Sequence, residues 1–321
     1  PLLYYITNII VFIPIFLSEG YLHTSAHLMA VNLVIFTPLL FLNFNGEKGD
    51  EIFSKLIKIV IWVVCLQLLA DLVIKWFDYN LVGSILGGMG NANTFGLHLI
   101  IAALGLRFIY RQHILSYIVL IMTWGTGSLI CSLLASLLLL QALIISLFRR
   151  PIIMFFIFLA LLIIFSIWGD ILSLFLLEVS PVKHAYGKLM GLISEDSYNV
   201  GSVRGRLAWM TEGLELMREN PLSIIVGHPE YILFWTGDGF FFAILVTLGL
   251  PACLFFIASN MYLFIIGIIQ KTPTAKFASY TLFVYLAFFC TNRILDYWPS
   301  GFMYLLVFAY LSRKIEYKKD Y

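Results

Sequence analysis

Long apolar runs, interrupted by short stretches of charge, glycine, proline or asparagine, recur from one end of the chain to the other. Runs of about 18 or more apolar residues can cross the roughly 30 Å hydrocarbon core of a bilayer as helices. A membrane barrel would instead need short segments of alternating polarity. We therefore predict an all-α polytopic membrane protein with about ten transmembrane helices. The predicted spans are residues 2–18, 25–44, 54–74, 95–110, 113–127, 128–148, 152–179, 239–269, 277–291 and 300–312.

Composition strengthens the membrane interpretation. The 321 residues are 61% hydrophobic and 12% charged, with a mean hydropathy of +0.95, whereas a soluble domain is about 25% charged. The four cysteines stand singly in apolar runs without disulfide or metal spacing, so we interpret them as small buried or lipid-facing hydrophobes. We expect no cofactor. We treat residues 1–321 as one integral membrane domain. Because Pro1 is not an initiator methionine, we expect the true start to lie upstream.

Lysine and arginine orient the predicted helices, because cytoplasmic loops carry an excess of both. Of the 20 such residues, thirteen fall on one side of the predicted bundle and seven on the other. This split places both chain ends in the cytoplasm and turns residues 75–94, the large loop 180–238 and residues 292–299 outward. The thirteen are Lys48, Lys55, Lys58, Arg107, Arg111, Arg149, Arg150, Lys271, Lys276, Arg313, Lys314, Lys318 and Lys319.

The connections on the cytoplasmic side leave no room for a folded domain. The chain also has no P-loop and no glycine-rich dinucleotide turn, the motifs that hold nucleotide phosphates. Any chemistry is therefore expected on the outer side, without ATP or a sugar nucleotide. We expect no nucleic-acid partner.

The loop 180–238 contains a predicted amphipathic helix at 203–219. Ser202 is its predicted N-cap, and Asn220 followed by Pro221 is its predicted stop. We expect the helix to lie on the membrane surface or over a cavity. Its apolar residues recur at helical spacing: Leu207, Met210, Leu214 and Met217.

The next helix, 239–269, is unusually long. At 1.5 Å per residue it would measure about 46 Å, which exceeds the hydrocarbon thickness. We expect it to tilt, to bend near Gly249 and Pro251, or to project beyond the membrane. Its first two turns are expected to line an outward pocket.

Three segments in order carry a family resemblance. Residues 87–96 read Gly-Gly-Met-Gly-Asn-Ala-Asn-Thr-Phe-Gly, and residues 204–227 contain Arg-x-Arg-Leu-x-x-Trp followed by Asn-Pro-Leu and a glycine. Residues 238–251 read Asp-Gly-Phe-Phe-Phe-x-x-Leu-Val-x-Leu-Gly-Leu-Pro. Around one large outer loop, these segments resemble the O-antigen polymerase and O-antigen ligase superfamily. The resemblance covers about residues 90–310.

This resemblance implies an inverting glycosyltransferase of the bacterial inner membrane that works on the periplasmic face and requires no metal. Its donor would be a glycan linked to undecaprenyl diphosphate. Outer-loop arginines would bind the diphosphate, and a polar residue near the start of the long helix would activate the acceptor hydroxyl. The implied partners are the lipid-linked oligosaccharide, the lipid bilayer and a chain-length regulator protein.

Two departures from the family pattern matter. Many relatives carry Ser-Arg at the outer end of a mid-chain helix, where this chain has Thr126-Gly127-Ser128-Leu129 and no arginine. Ligases commonly open the long helix with His-Asn, where this chain has Asp238 and then glycine. The second departure favours a polymerase over a ligase.

Arg204 and Arg206 are the first candidates for the diphosphate site, because a guanidinium donates parallel hydrogen bonds and keeps its charge. Two positions apart on a helix, they would point about 200° away from each other, so only one is expected to face the cavity. Arg293 is a second cationic candidate. The alternatives are arginines that are solvated or anchored to head groups, and for Arg293 a pair with Asp296.

Asp238 is the predicted catalytic base, and its alternative role is to cap the helix from Gly239. His228, in a tight polar turn, is the second catalytic candidate, or else a histidine satisfied by backbone. Asn91 and Asn93 stand among three glycines, whose backbone can approach a ligand closely. They are predicted to line the glycan site, and the alternative is a turn in which Asn93 or its neighbour caps a helix.

The leading hypothesis is a polymerase that moves a growing glycan from its lipid diphosphate onto an incoming lipid-linked repeat unit. The closest rival is a ligase that attaches the glycan to lipid A-core or another acceptor. A lipid-linked oligosaccharide flippase is a third possibility. A flippase is expected to show repeated halves and charges at mid-membrane in several helices, whereas these polar residues gather at one face.

Overall fold

In the computed structural model, the described residues are 44–77, 85–149, 201–228, 239–290 and 292–319, except for 45, 90, 293 and 296. They form α-helices and one 3-10 turn, and this part of the chain contains no strand. The predicted all-α class is therefore confirmed for it. The helices are α1 Gly46–Phe77, α2 Ala92–Phe108, α3 His113–Thr123, α4 Leu129–Arg149, α5 Gly201–Glu219, α6 Ser223–Val226, α7 Phe240–Ile269, α8 Pro273–Phe289 and α9 Trp298–Lys319, with the 3-10 turn Trp124–Thr126 after α3.

Helices stand at every predicted span that the structure describes, and at the predicted amphipathic segment, which is α5. The predicted spans 2–18, 25–44 and 152–179 lie outside the described residues, apart from Phe44. Several helices are longer than the apolar runs that predicted them, and α1, α8 and α9 are longer by two residues or more. Helix α9 continues past Arg313. An apolar run predicts only the part of a helix that would lie in the membrane, and the backbone hydrogen bonds of the helix can continue beyond it.

Helix α8 begins four residues before its predicted start for a local reason. Thr272 is its N-cap, and the hydroxyl of Thr272 accepts a hydrogen bond from the amide of Ala275 at 3.1 Å. Pro273 occupies the first helical position, where its missing N–H and fixed φ are favourable. The Thr-Pro pair was thus a start signal that the apolar pattern concealed.

Two described helices are long and apolar enough to cross a membrane, over Glu47–Ile74 in α1 and Phe240–Ile269 in α7. Along α1, apolar side chains are exposed through successive turns, among them Ile59, Trp62 and Leu66. An exposed apolar stripe of this length is a typical lipid-facing or partner-facing surface. The ten-span count and the outward loop stay predictions.

The described chain falls into two compact units. The α7 unit contains α1 up to Ile59, residues 108–110 and helices α5 to α9. The α2 unit contains the rest of α1, α2 up to Arg107, α3 and α4. Each unit is described by itself below.

Aromatic side chains from α7, α8 and α9 form the core of the α7 unit. Ring centroids of Phe240, Phe256 and Phe289 lie 4.8 to 5.7 Å apart. The hydroxyl of Tyr304 donates to Oδ1 of buried Asn260 at 3.0 Å, and Nδ2 of Asn260 donates to the carbonyl of Phe256 at 2.8 Å. This amide is therefore hydrogen-bonded on both sides, as burial requires.

Several predicted cytoplasmic helix ends meet at one end of the α7 unit. The hydroxyl of Tyr310 in α9 donates to Oδ1 of Asp50, in the first turns of α1, at 2.5 Å, and lies 2.9 Å from Oγ1 of Thr274 in α8. Lys271 and Arg313 belong to the same helix ends. Which side of a membrane this end faces stays a prediction.

Helix α2 is the centre of its unit and is buried from Thr94 to Leu106. Gly96 lets α4 approach closely, since a Cβ there would lie 2.4 Å from Sγ of Cys131. From α3, the hydroxyl of Ser116 donates to the carbonyl of Ala103 at 2.7 Å. The Gly96 contact fixes the end of α2 that carries the first motif, and the Ser116 bond lies nearer the other end.

Candidate functional site

The glycine turn, which consists of residues 85–89 and 91 and overlaps the first motif, is held by a carboxylate from α1. Oδ2 of Asp71 accepts hydrogen bonds from the amides of Leu86 at 2.8 Å and Gly87 at 3.3 Å. Gly87 has a φ of 55°, and a Cβ there would collide with the ring of Phe95. Only glycine fits this position without strain.

Asn91 caps helix α2. Its Oδ1 accepts from the amides of Asn93 at 2.8 Å and Thr94 at 3.2 Å, the bonds that an N-cap side chain makes. The alternative prediction, in which Asn93 or Thr94 caps a helix from Phe95, is wrong because the helix begins at Ala92. Whether Asn91 also lines a glycan site stays a prediction.

Asn93 joins the starts of α2 and α4. Its Oδ1 accepts from the hydroxyl of Ser128 at 2.5 Å, and Oγ of Ser128 also accepts from the amide of Cys131 at 3.4 Å. Asn91 and Asn93 thus lie together at one end of the α2 unit. Ser128, noted from the sequence only as a departure from the family pattern, is the structural partner that sequence reasoning missed.

In the α7 unit, the second and third motifs pack on each other. Trp209 of α5 meets Phe242 of α7 edge-on, with ring centroids 4.9 Å apart. Gly213 permits close approach, because a Cβ there would lie 2.7 Å from the Phe242 ring. One turn further, Met217 is buried against Val246. Helix α5 therefore runs beside the first turns of α7.

The face of α5 that packs on α7 differs from the predicted apolar face. Met217 is buried, but Met210 and Leu214 are exposed, and the side chain of Leu207 is outside the described part. Hydrophobicity alone mispredicted the face, because the closest approach is made by Gly213, which has no side chain to count. Because Met210 and Leu214 are exposed, α5 carries apolar surface that does not pack on α7.

The ends of α5 are predicted more accurately than its face. The helix ends at Glu219, immediately before Asn220 and Pro221, as predicted. It begins at Gly201, so the prediction that Ser202 is its N-cap is wrong and Ser202 lies in the first turn.

Helix α7 breaks where the sequence predicted a bend. Gly249 has a φ of 81° and a ψ of 172°, and Pro251 cannot donate the amide hydrogen that the carbonyl of Thr247 would accept. The turn after α6 lies against this break, backbone on backbone. A Cβ on Gly227 would lie 2.4 Å from the carbonyl oxygen of Thr247, and one on Gly249 would lie 2.2 Å from that of Ile225.

His228 is fixed at this break by its main chain. Its amide donates to the carbonyl of Val246 at 2.8 Å, an oxygen that would accept from Leu250 in an unbroken helix. The side chain is half-buried, and its Nε2 is buried. Because the hydrogen bond uses only backbone, it does not explain why the residue is histidine. The catalytic role of His228 stays a prediction.

Arg204 and Arg206 lie in the first turns of α5, where the backbone is helical. Their side chains are not among those that the structure describes. Their positions, two apart in a regular helix, differ by about 200° around the axis.

Asp238 and Arg293 both lie outside the described residues. The residue after Asp238, Gly239, is the N-cap of α7 and has a φ of 106°. The alternative in which Asp238 caps a helix from Gly239 is therefore wrong in register by one residue. A Cβ on Gly239 would lie 3.4 Å from the indole of Trp209, so the arginine motif meets the Asp-Gly motif.

The described side chains contain no group of three or more His, Cys, Asp or Glu that could hold a metal ion. No family model matches the chain, and neither curated proteins nor solved structures give a match. The family resemblance therefore rests on the three ordered motifs.

The sequence singled out the two glycines that meet at the α7 break, but it did not predict their contact. Gly227 was noted in the second motif and Gly249 as a bend, and they are brought together only by the packing of α6 on α7. Both glycines have a positive φ, but nothing in their spacing along the chain predicts that they lie together.

Proposed function

We propose that this protein is a glycan polymerase of the bacterial inner membrane, acting on the periplasmic face. It would transfer a growing glycan from undecaprenyl diphosphate onto the sugar of an incoming lipid-linked repeat unit, with inversion. The observation that carries the proposal is the packing of the arginine helix α5 along the start of α7, where the ring of Trp209 meets that of Phe242 and lies beside Gly239. Motifs far apart in sequence thereby lie side by side.

The helical register of α5 distinguishes the two arginines. Position 206 falls on the same side of the helix as Trp209 and Gly213, three and seven residues later, which pack on α7. Position 204 falls on the opposite side. We therefore assign the diphosphate contact to Arg206 rather than to Arg204.

In the proposed reaction, the acceptor hydroxyl oxygen attacks the anomeric carbon of the donor glycan. Asp238, one residue before the N-cap of α7, would receive the hydroxyl proton. The bond between the anomeric carbon and the diphosphate oxygen breaks, and undecaprenyl diphosphate leaves with the electron pair. Arg206, and Arg293 as a second cation, would stabilise the negative charge that builds on this leaving group.

Membrane placement is supported by the apolar length of α1 and α7 and by the exposed apolar stripe of α1. The predicted cytoplasmic ends of α1, α8 and α9 meet at the Tyr310 cluster. The starts of α5 and α7, which carry the proposed chemistry, are on the predicted outer side of the chain.

The proposal is tested with purified protein, lipid-linked repeat units and electrophoresis of the products, which should form a ladder. Removing a charged hydrogen-bond donor costs about 1.5–3 kcal/mol per bond, so Arg206→Ala should slow polymerisation roughly 10- to 150-fold. Arg206→Lys should rescue it in part, because lysine keeps the charge and loses the planar fork.

Arg204→Ala and Arg218→Ala are matched controls from the same helix, and Arg218 is exposed near its end. Both should polymerise at the wild-type rate. A normal ladder from Arg206→Ala and from the double Arg204→Ala/Arg206→Ala variant would remove these arginines from the mechanism. Transfer to lipid A-core without a ladder would favour a ligase, and movement of lipid-linked units without a new glycosidic bond would favour a flippase.

A further inference from the structure

We propose that the segment at and before α6 is a bilayer-inserted anchor. Its four aliphatic side chains, which we call the α6 patch, would sit at the outer boundary between lipid head groups and acyl chains. The patch consists of Leu222, Ile224, Ile225 and Val226. The inference concerns phospholipid as the occupant and does not depend on the glycan chemistry.

The α6 segment exposes its aliphatic side chains and buries its polar one. Leu222 and Val226 are each 70% exposed, Ile225 is 61% exposed and Ile224 is 40% exposed. The polar residue among them, Ser223, is 1% exposed, and its hydroxyl donates to the carbonyl of Asn220 at 2.6 Å. A turn surrounded by water would place these side chains the other way round, because burying aliphatic area is favourable and burying a hydroxyl is not.

The α6 patch lies at the level along α7 where apolar exposure begins. The carbonyl of Ile225 abuts Gly249, at the helix break. From Phe240 to Gly249 no described residue of α7 is exposed, whereas Leu250 and Leu254 beyond the break are. The patch therefore continues the apolar surface of the second arm of α7 at that arm's outer end.

Helix length places this level at the membrane boundary. Residues 250–269 extend about 30 Å, which matches the hydrocarbon core, so the arm before the break is surplus to the span. Beside that first arm, Glu212 and Glu215 of α5 are exposed and require water. An apolar patch below a charged helix face is the arrangement of segments that lie in the interface.

The test uses the full chain in phospholipid vesicles, with its four native cysteines replaced by alanine. A nitroxide is attached through Ile225→Cys or Val226→Cys, and through Glu215→Cys as the control on the exposed face of α5. Collision rates are measured with oxygen, which concentrates in hydrocarbon, and with a nickel chelate, which stays in water. The ratio of oxygen to nickel collisions should be higher at 225 and 226 than at 215.

Two results would overturn the proposal. A high nickel rate at 225 and 226 would mean that the patch faces water, and low rates with both reagents would mean that another part of this chain or a second copy covers it. A second measurement avoids any folding defect of the variants. In the unmodified protein, photoactivation of phospholipid with a diazirine on its acyl chain should label peptides containing 222–226 and spare 212–219, and the reverse pattern would contradict insertion.

Discussion

The glycine turn of the α2 unit and the turn at the helix break of the α7 unit both contain glycines with positive φ, but different groups hold each turn in place. Both depend on glycines with positive φ, Gly87 in the first and Gly227 and Gly249 in the second. At the glycine turn, polar side chains bond the backbone, with Asp71 holding two amides and Asn91 capping α2. At the broken helix, backbone bonds backbone.

This difference distinguishes polar residues that hold the fold from polar residues that are candidates for catalysis or substrate binding. At the glycine turn, side-chain oxygens build the turn, so their substitution should reduce stability first. At the broken helix, the contacts on which the turn depends include the amide of His228 and the two glycines. Substitutions that keep this backbone are therefore expected to report on activity more than on stability.

The largest expected effect is that of Asp238→Asn. If Asp238 is the general base, the change should slow polymerisation by roughly 10²- to 10⁴-fold, because an amide cannot accept the proton. Expression and thermal stability should stay at wild-type levels, since the N-cap of α7 is Gly239. The measurement is the initial rate of ladder formation, normalised to folded protein.

Near wild-type polymerisation by Asp238→Asn would exclude it as the base and make His228 the next candidate. His228→Gln keeps the backbone amide that donates to Val246, so it tests the imidazole without removing that hydrogen bond. If neither variant slows polymerisation while both remain stable, the proposed site at the start of α7 is wrong.

A second prediction concerns the contact between the two backbones. Gly249→Ala would add roughly 1–3 kcal/mol of strain, because a φ of 81° with a ψ of 172° is a conformation used almost only by glycine. Overpacking would add about 1–3 kcal/mol, because its Cβ would lie 2.2 Å from the carbonyl oxygen of Ile225. Gly227→Ala should be similar. The measurement is the apparent melting temperature of the purified protein in detergent.

Gly88→Ala is the matched control for that prediction. Gly88 has a φ of 76°, and nothing lies within 4 Å of a Cβ there, so alanine should cost only the conformational strain of a positive φ. Gly249→Ala should therefore lower the melting temperature more than Gly88→Ala. Equal shifts would mean that the close approach of the α6 turn to α7 contributes little.

The sequence predicts helices and breaks in this chain better than it predicts contacts. The α7 break followed from Gly249 and Pro251, because both act on their own backbone. The packing face of α5 did not follow, because the decisive residue is Gly213, whose role is the absence of a side chain. A residue's effect on its own backbone can be predicted from the sequence, whereas the close approach of two helices depends on both of them.

The candidate site shows the same division. Asn91 and Asn93 stood out by type, but their partners differ in sequence distance. The cap bonds of Asn91 reach two and three residues ahead, whereas the bond between Asn93 and Ser128 joins residues 35 apart. Only the first kind could be foreseen from the sequence.

The smallest expected effect tests the structural side of the comparison. Asn91→Ala removes the oxygen that accepts from the amides of Asn93 and Thr94, and loss of an N-cap costs about 1 kcal/mol. Asn91→Asp keeps an accepting oxygen and adds a charge that the helix N-terminus favours, so its melting temperature should equal that of the wild type. If Asn91 only builds the turn, Asn91→Asp should also polymerise normally, and Asn91→Ala should lose activity only in proportion to the folded protein lost. Loss of polymerisation by Asn91→Asp at full stability would show that the amide nitrogen contacts the glycan, and the glycine turn would then be a binding site as well as a structural one.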